Sequence, residues 1–474
     1  MAQTLKPDLC VIGAGSGGLS VAAAAAQFGV EVVLLEKHKM GGDCLNYGCV
    51  PSKALIAVGK RAHAMRSSEP FGIRPVSPDI DPQQVHDRVK SVIAAIEPND
   101  SVERFTGLGV HVIEEAGSFK DRNTVVAGDY EIKARRTILA TGSSPALPPV
   151  PGIDNVPLFT NETIFDNQEK IDHLIIIGGG PIGMEMAQAH RRLGARVTVL
   201  EAFTALSKDD PELTAIVLKQ LREEGIEIIE NVRIDQLSKI DGGIRADLSK
   251  DEENYFVEGS HLLVAAGRKP NLSGLNLEAA QIEYNPRGIK VNSGLKTTNK
   301  KVYAIGDIAG GLQFTHVANY HAGIVIRNAL FRMPVKMSTS GIPWVTYTEP
   351  EMAHVGLDET SAKAKNSNIK VLRWPYAEND RAQAEGATEG FVKVVTDKRG
   401  RILGASIVGE HAGEIIQMWA LAISKKMKIS AMTGFISPYP TLTEINKRVA
   451  YTYFESSLTS PLLRNTIKFL SKFG

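Results

Sequence analysis

The sequence has few cysteines, no excess of one charge and no long apolar run. Its 474 residues include three cysteines, too few for the disulfide framework of a secreted protein. Lysine and arginine number 54 against 53 aspartates and glutamates, so no basic surplus indicates nucleic-acid binding. No run of roughly 18 apolar residues predicts a membrane-spanning helix, and the amino-terminal residues lack the regions of a signal peptide. These absences predict a cytoplasmic protein without a nucleic-acid partner.

Two of the cysteines nevertheless form a distinctive pair. Cys44 and Cys49 are separated by four residues within the segment 41–53, GGDCLNYGCVPSK. A disulfide between them would close a small loop and add little stability through chain entropy. No second pair completes a zinc site, so no metal centre is predicted. The spacing favours a redox role over a structural one, whereas Cys10, on an apolar strand, is expected to be an inert core thiol.

A dinucleotide-binding pattern precedes this pair. An apolar strand at 9–12 leads into a glycine-rich turn, a helix at 19–28 and a second strand at 32–35 that ends at Glu36. The glycines of the turn fit G-x-G-x-x-G and are Gly13, Gly15 and Gly18. Such glycines allow a tight turn and the close approach of a pyrophosphate, and the helix offers it free N–H groups. An acid about 20 residues on accepts hydrogen bonds from a ribose.

The same pattern occurs a second time. An apolar strand at 174–177 is followed by Gly178, Gly180 and Gly183, then by a helix and a strand at 196–200 that ends at Glu201. Two unrelated glycine turns are the alternative, which the two acids disfavour. Glu201 can bind a ribose 2′-hydroxyl but repels a 2′-phosphate, and Lys208 is the only cation close in sequence. NADH is therefore favoured over NADPH.

The length suits roughly three domains. A proline-rich linker at 145–152 separates the two nucleotide-binding segments, and from about residue 342 strand-like runs precede helical ones. We expect an α/β protein with two Rossmann-like dinucleotide-binding domains and a C-terminal α+β dimerisation domain. The predicted division is 1–152, 153–272, 273–341 and 342–474, in which the first and third segments form one FAD-binding domain.

These motifs together resemble a known family. The cysteine segment 41–53, the two fingerprints, Ala140–Thr141–Gly142 and the run 304–307 are similar to the class I pyridine nucleotide-disulfide oxidoreductases. That family includes dihydrolipoamide dehydrogenase, glutathione reductase and mercuric reductase. The runs 178–183 and 379–382 and Tyr439 look most like the mercuric reductase-like branch.

The resemblance assigns cofactor roles to numbered residues. It implies that FAD binds at the first site through Gly13, Gly15, Gly18, Glu36, Gly42, Gly117, Thr141, Gly142, Gly306 and Asp307. It implies that NADH binds at the second site through Gly178, Gly180, Gly183, Glu201 and Gly267. Electrons would pass from NADH through FAD to the Cys44–Cys49 disulfide and on to a disulfide, dithiol-linked or metal-ion acceptor.

The resemblance also assigns catalytic roles. Cys49 would lie against the flavin, Cys44 would attack the substrate, and Lys53 with Glu185 would form an ion pair near the flavin; Lys53 as a plain surface cation is the alternative. A helix that starts near residue 50, with Pro51 in its first turn, would place Cys49 at a positive dipole end and lower its pKa. The neighbouring Asp43 acts in the opposite sense on Cys44.

One departure concerns the carboxyl-terminal part of the chain. Tyr439 stands where the dehydrogenases have histidine, and Glu444 takes the position of their glutamate. Tyrosine has an ordinary pKa of about 10 against about 6.5 for histidine, so Tyr439 can donate a hydrogen bond but cannot act as a base at neutral pH. A family-like homodimer would share its active site across the interface, with these two residues facing Cys44 of the other subunit. Interface packing alone is the alternative role for Tyr439.

The last segment, 461–473, predicts a basic amphipathic helix. Arg464, Lys468 and Lys472 are spaced four apart beside a stripe formed by Leu463, Ile467 and Leu470. Such a helix can lie on a membrane surface, here the inner face, or pack on a partner; an ordinary helix that covers its own domain is the alternative. The competing function is therefore a weakly active flavoprotein that serves as a membrane-surface or partner-binding module.

Overall fold

The computed structural model of the chain describes residues 2–365, 368–458 and 460–473, without the side chains of residues 456 and 457. Two compact units are present. The first extends to Arg66 and continues through Pro75–Ala202 and Ile228–Met337. The second combines Ser67–Arg74, Phe203–Glu227 and the chain from Ser338 onward. Each unit has its own hydrophobic core.

A parallel sheet carries the first glycine-rich turn. Its strands, in spatial order, are Val302–Ala304, Arg136–Leu139, Leu9–Ile12, Val32–Leu35 and His111–Ile113. Every residue of the third and fourth of these strands is buried, which explains why both segments are continuous apolar runs. Ile12 and Ala304 are both in register with Leu139, so three strands end side by side. The turns that follow these strands therefore meet at one edge of the sheet.

A second sheet in the same unit repeats this design. Its strands are Glu227–Glu230, Arg196–Glu201, His173–Ile177 and His261–Val264. Ile177 is in register with both Leu200 and Val264, and these three strands run parallel. The second glycine-rich turn, Glu201 and the turn before Gly267 consequently lie at one edge.

Smaller sheets and helices complete the first unit. One sheet contains Gln3–Leu5, Tyr130–Ile132, Val125–Ala127 and Ser118–Phe119, and an antiparallel meander contains Arg233–Ile240, Gly243–Lys250 and Glu253–Gly259. Two ribbons pair Ser143–Pro145 with Arg268–Pro270 and Tyr284–Asn285 with Gly288–Ile289. The α-helices are Ser16–Gln27, Gly42–Asn46, Cys49–Arg66, Pro82–Ile96, Val102–Gly107, Pro181–Arg192 and Thr315–Ala329.

The second unit is an antiparallel sheet with helices. The strands are Pro343–Thr346, Glu351–Gly356, Ile402–Gly409, Phe391–Asp397 and Ile369–Pro375. The α-helices are Pro211–Glu223, Glu359–Lys365, Asp380–Glu385, Ala412–Ile415, Gln417–Ser424, Glu444–Thr452, Glu455–Leu458 and Pro461–Leu470. Trp419 and Tyr376 are fully buried in the core, and the indole N–H of Trp419 donates to Asn446 at 2.7 Å. This α+β composition agrees with the sequence prediction.

The helix Pro211–Glu223 belongs to this second unit, although the sequence division placed it in the segment 153–272. A buried charge explains the association: Lys393, only 3% exposed, pairs with Asp210 at 2.7 Å and Glu212 at 2.8 Å. A buried ammonium group needs such partners, so the start of the helix is held to the antiparallel sheet. The division of the chain into four segments stays a prediction.

None of the helices in the described residues combines the length and apolar character needed to cross a membrane.

Candidate active site

The two cysteines lie on a loop that packs against the first glycine-rich turn. Cys44 belongs to the short helix Gly42–Asn46, and Cys49 is the first residue of the helix Cys49–Arg66. Gly42 has φ +59°, and a Cβ atom there would lie 2.7 Å from the Cα of Gly15. Only glycine permits both this backbone angle and this approach. The sequence thus seats the cysteine segment directly on the predicted FAD turn.

Both cysteines are free thiols and do not form a disulfide. Cys44 is half-buried and Cys49 is exposed. The Cys49 sulfur also lies 3.3 Å from the Thr315 hydroxyl, and Thr315 is the first residue of the helix Thr315–Ala329. Cys49 therefore lies at the amino terminus of its own helix and beside the first residue of another, where partial positive charge stabilises an anion.

The surroundings shift the pKa values of the two thiols in opposite directions. The hydrogen bond from Cys44 lowers the pKa of Cys49 to about 6, helped by Thr315 and the charge of Lys53 against an opposing effect of burial. The hydrogen bond to Cys49, followed by burial, raises the pKa of Cys44. The carboxylate of Asp43 raises the pKa of both thiols. The surroundings therefore favour the thiolate of Cys49 over that of Cys44.

The structure brings Lys53 and Glu185 together. Lys53 is one turn beyond Cys49 on the same helix, and its Nζ donates to Glu185 Oε2 at 2.7 Å. Glu185, 5% exposed, lies on the helix Pro181–Arg192 that follows the second glycine-rich turn. A Cβ atom at Gly59 would lie 3.3 Å from Ala189 O, so glycine lets the two helices approach closely. This ion pair joins the cysteine helix to the second nucleotide site.

The first and third glycines of each fingerprint are required by packing. A Cβ atom at Gly13 would lie 2.5 Å from Ala140 O, and one at Gly178 would lie 2.6 Å from Ala265 O. At the third positions, a Cβ atom at Gly18 would lie 1.9 Å from Gly13 O, and one at Gly183 would lie 2.0 Å from Gly178 O. The two turns are thus built on the same contacts between strand, turn and helix.

The middle glycines, by contrast, border open space. No atom lies within 4 Å of a Cβ atom placed at Gly15 or at Gly180. The helices that follow, Ser16–Gln27 and Pro181–Arg192, have no side-chain cap at their amino termini. Asp81, by contrast, caps the helix Pro82–Ile96. Uncapped N–H groups behind an open glycine fit a pyrophosphate at both sites.

The two terminal acids are oriented by their own turns. Glu36 accepts hydrogen bonds from the N–H groups of Ala14 at 2.7 Å and His38 at 2.9 Å. Glu201 accepts one from Gly179 at 2.6 Å, the position that corresponds to Ala14. Both carboxylates therefore lie against a glycine-rich turn, where a ribose would bind.

Two cations that are distant in sequence lie beside Ala202, the residue that follows Glu201. A groove of about 570 Å³ beside Ala202 is also lined by Arg233 and Lys250, which come from the meander. Two acids line the same groove, Asp251 and Glu252. The sequence interpretation missed these cations because they are far from Glu201 along the chain.

The remaining predicted FAD residues occupy turns around the first sheet. The Thr141 hydroxyl donates to Asn271 O at 2.9 Å, and Gly142 has φ +67° with open space beside it. Gly306 donates its N–H to His321 Nδ1 at 3.2 Å. A Cβ atom at Gly117 would lie 2.6 Å from the side chain of Leu35, so this glycine is needed for packing. At the second site, Gly267 has φ +124° and open space beside it.

Asp307 lies in the turn that follows the strand Val302–Ala304. It accepts a hydrogen bond from the Ser143 hydroxyl at 2.5 Å. Burial raises the pKa of Asp307, against the lowering effects of Ser143 and the charge of Arg268. A half-buried carboxyl at the end of the strand Val302–Ala304 is suited to binding a hydroxyl-rich chain such as ribityl.

Tyr439 and Glu444 have partners within the second unit. The Tyr439 side chain is 69% exposed, and its hydroxyl donates to Asp380 Oδ2 at 3.0 Å, which raises the pKa of Tyr439. Glu444 pairs with Arg448 at 2.9 Å. The side chain of Asn379 donates to Thr441 O at 3.1 Å and so fixes the turn that carries Tyr439.

Sequence reasoning missed the partners of several site residues. Thr315 contacts Cys49 and Arg268 contacts Asp43, each across more than 200 residues of the chain, and no local pattern marks these contacts. Asp380 was part of the run 379–382 that resembles the mercuric branch, but its contact with Tyr439 was not foreseen.

The arrangement places two free thiols beside the first glycine-rich turn and links their helix to the second. Two family models match the chain: "Pyridine nucleotide-disulphide oxidoreductase" over residues 7–322, and the dimerisation domain of the same family over residues 342–450. The chain belongs to the pyridine nucleotide-disulphide oxidoreductase family, and the predicted fold class is confirmed. It is a flavoprotein disulfide reductase in class, and the family uses FAD and NAD(P)H.

Named relatives span nearly the whole chain. It is 32% identical to a mercuric reductase of Lysinibacillus sphaericus over 94% of this chain and 82% of that one. It is 33% identical to a dihydrolipoyl dehydrogenase of Staphylococcus aureus over 94% of this chain and 96% of that one. A solved structure, the Cu(II) complex of the HOCl-induced flavoprotein disulfide reductase RclA from Escherichia coli, matches with a TM-score of 0.83 and 26% identity, covering 95% and 100% of the two chains.

Proposed function

We propose that the chain passes electrons from NADH through FAD to the Cys44–Cys49 disulfide and on to a metal-ion or disulfide acceptor. The observation that carries this proposal is the pair of thiols with opposite shifts in acidity, seated on the first glycine-rich turn. Such a pair suits a cycle between disulfide and dithiol better than a structural cross-link.

Different residues of the chain would have different roles in this reaction. Bound NAD(P)H and FAD would supply the hydride transfer that no side chain can provide. Cys49 would hold negative charge beside the flavin site, since Thr315 and Lys53 both stabilise its thiolate. Cys44 would hold the proton in the reduced pair and would release it on making the first bond to the acceptor. Lys53 and Glu185 would bridge the cysteine helix and the nicotinamide side of the site.

The proton on Cys44 bears on the choice of acceptor. A thiol with a raised pKa needs a base before it can attack a disulfide, and the phenol of Tyr439 cannot serve as one at neutral pH. A soft metal cation displaces a thiol proton on binding and needs no separate base. We therefore favour a metal-ion acceptor such as Hg(II) or Cu(II), with disulfides as the second candidate class.

An anaerobic titration tests the proposal. NADH added to the FAD-loaded protein should produce long-wavelength absorption from the Cys49 thiolate to oxidised flavin. Cys49→Ser should remove this band, whereas Cys10→Ser, a change at a buried thiol outside the site, should leave it. The reduced enzyme is then offered lipoamide, glutathione disulfide, quinones, Hg(II) and Cu(II). Flavin that bleaches with two electrons and shows no band would refute a redox-active disulfide.

The preference for NADH rests on Glu201. Its carboxylate, held by Gly179 N–H, favours a ribose 2′-hydroxyl and repels a 2′-phosphate. Arg233 already pairs with Asp235 at 2.6 Å, so its charge is partly neutralised. We expect a higher kcat/KM with NADH than with NADPH. Equal efficiency would mean that Arg233 or Lys250 outweighs Glu201.

We further propose a homodimer, formed through the dimerisation domain, in which Tyr439 and Glu444 of one subunit face Cys44 of the other. Sedimentation equilibrium should give a mass of twice 51.3 kDa. The proposed domain limits, 1–152, 153–272, 273–341 and 342–474, and a cytoplasmic location belong to the same proposal.

A second candidate function is favoured by the helix Pro461–Leu470. Leu462, Phe469 and Phe473 are 80%, 58% and 74% exposed. At about 100° per residue, the apolar side chains cover an arc of about 160°, and Arg464 and Lys468 lie on the opposite side. Residues 456–474 contain three basic and no acidic residues, which complements an anionic lipid surface. We propose that this helix lies on such a membrane face.

Vesicle sedimentation tests this second candidate. The full-length protein should sediment with phosphatidylglycerol-containing vesicles and much less with neutral phosphatidylcholine vesicles. Phe469→Ser should weaken the binding, whereas Phe203→Ser, at a residue 74% exposed outside the helix, should not. Equal binding by both variants, or none by the parent protein, would refute the membrane role.

A further inference from the structure

Arg268 is a nearly buried arginine whose role the fingerprint motifs do not explain. It begins the strand Arg268–Pro270 directly after Gly267, and its side chain is 13% exposed. The strand pairs with Ser143–Pro145, in the register Arg268 to Pro145. The side chain is thereby held between the turn after the strand Arg136–Leu139 and the cysteine loop.

The guanidinium group binds three residues at once. Its Nη2 lies 2.9 Å from Asp43 Oδ1 and donates to Ser143 O at 2.8 Å. Its Nε donates to the Ser143 hydroxyl at 2.8 Å, and its Nη1 donates to Asn161 Oδ1 at 3.2 Å. A planar group with five donors can make these contacts together, and lysine cannot.

Two of the residues that Arg268 binds, Asn161 and Ser143, make further hydrogen bonds of their own. The side chain of Asn161 donates to Asp43 Oδ1 at 3.0 Å and to Tyr47 O at 3.2 Å, so the loop between the cysteines is held twice. On the other side, the Ser143 hydroxyl donates to Asp307 at 2.5 Å. One arginine thus links the residue before Cys44 to the acid assigned to the ribityl chain of FAD.

Asp43 is the charged residue through which Arg268 can influence the thiols. Its carboxylate raises the pKa of both cysteines. The positive charge that acts on Cys49 in the opposite sense is Lys53, which is itself paired with Glu185. Thr315, which contacts Cys49 from the helix Thr315–Ala329, is neutral. Without Arg268, the Asp43 carboxylate would lack its arginine partner and would oppose the Cys49 thiolate more strongly.

We propose that Arg268 is a positioning residue for the redox reaction: it fixes Asp43, and with it the loop between the cysteines, and balances the carboxylate charge beside the two thiols. This inference rests on the proposed dithiol function. It predicts that the charge of Asp43 and the charge of Arg268 act on Cys49 in opposite senses and cancel when both are removed.

The test measures the pKa of the Cys49 thiol rather than enzyme turnover. The reduced holoenzyme is alkylated with iodoacetamide from pH 5 to 9, and the Cys49-containing peptide is quantified by mass spectrometry. Arg268→Gln should raise the apparent pKa of Cys49 by roughly half to one unit, and Asp43→Asn should lower it by a similar amount. The double variant should return close to the parent value, and Arg268→Lys should fall between the parent and Arg268→Gln.

The outcomes separate this inference from the proposed function. If NADH does not increase the alkylated fraction of Cys44 and Cys49 in the parent protein, the disulfide cycle itself is refuted. If the parent cycles but neither single variant moves the pKa, Arg268 has only a structural role and the inference is overturned. A thermal unfolding midpoint for each variant identifies loss of fold. If Arg268→Gln does not fold, Asp43→Asn still tests the inference through its expected lowering of the Cys49 pKa.

Discussion

Replacing Cys44 by alanine tests the physical origin of the acidity of Cys49. The hydrogen bond from Cys44 is the largest cause of the lowered pKa of about 6. A hydrogen bond to a charged group contributes about 1.5–3 kcal/mol, or about 1–2 pKa units at 1.36 kcal/mol per unit. Because Cys49 is exposed, solvent screens the interaction and the lower end applies. We therefore expect a pKa of about 7 in Cys44→Ala.

The sign and size of the effect can be read from alkylation rates. A thiolate with a pKa of about 6 is present above that pH and is lost as the pH falls through it. At pH 6 the thiolate fraction should fall from about one half to about one tenth, so alkylation of Cys49 should slow about fivefold. Cys44→Ser keeps a hydroxyl donor and should remain closer to the parent rate.

Two results would refute this reasoning. An unchanged pKa in Cys44→Ala would mean that Lys53, Thr315 and the helix amino termini hold the thiolate without Cys44. Equal slowing in Cys44→Ala and Cys44→Ser would mean that the hydrogen bond is not the cause. Cys10 provides an internal control, since burial raises the pKa of its thiol to about 12 and it should remain unmodified in folded protein.

Four further substitutions have defined outcomes. Glu201→Ala should reduce the preference for NADH over NADPH about tenfold in kcat/KM, because repulsion of the 2′-phosphate is lost. Lys53→Met should lower the urea unfolding free energy by about 1–3 kcal/mol, because buried Glu185 loses its ammonium partner; Glu185→Gln is the matched control. Asp380→Asn should lower the phenol pKa of Tyr439 in an ultraviolet titration, because the hydrogen bond to the carboxylate raises it. Tyr439→His should raise lipoamide turnover by up to about 100-fold if the missing base limits it, and no change would assign Tyr439 to packing.

The parts of the fold that were predicted share one property: their sequence pattern is local. The strands Leu9–Ile12 and Val32–Leu35 are buried on both faces and are therefore continuous apolar runs. Each glycine-rich turn has its strand, helix and acid within about 30 residues. The cysteine segment carries its glycines and its helix start within 13 residues, 41–53. Such features can be found without knowledge of distant contacts.

Other elements were missed for two different reasons. The strand Gly243–Lys250 carries a period-two signal, with Ile244, Ala246 and Leu248 buried and their neighbours less so, and closer attention to alternation would have found it. The strand Glu351–Gly356 carries no such signal, because it buries polar side chains. Its His354 is paired with Ser406 at 2.7 Å, a partner 52 residues away. Burial of this kind depends on tertiary contacts that the local sequence does not record.

The two glycine-rich turns make nearly identical contacts of their own and differ in what packs beside them. Gly42 brings the cysteine loop to within contact of Gly15 at the first turn. The helix of the second turn instead carries Glu185 to Lys53, on the helix that begins at Cys49. Gly59 permits that approach, because its missing side chain lets the cysteine helix lie against Ala189. One helix, Cys49–Arg66, therefore has its first residue at the dithiol and its later residues against the second nucleotide unit. This single helix therefore contacts both copies of the glycine-rich unit, but it does so through different residues.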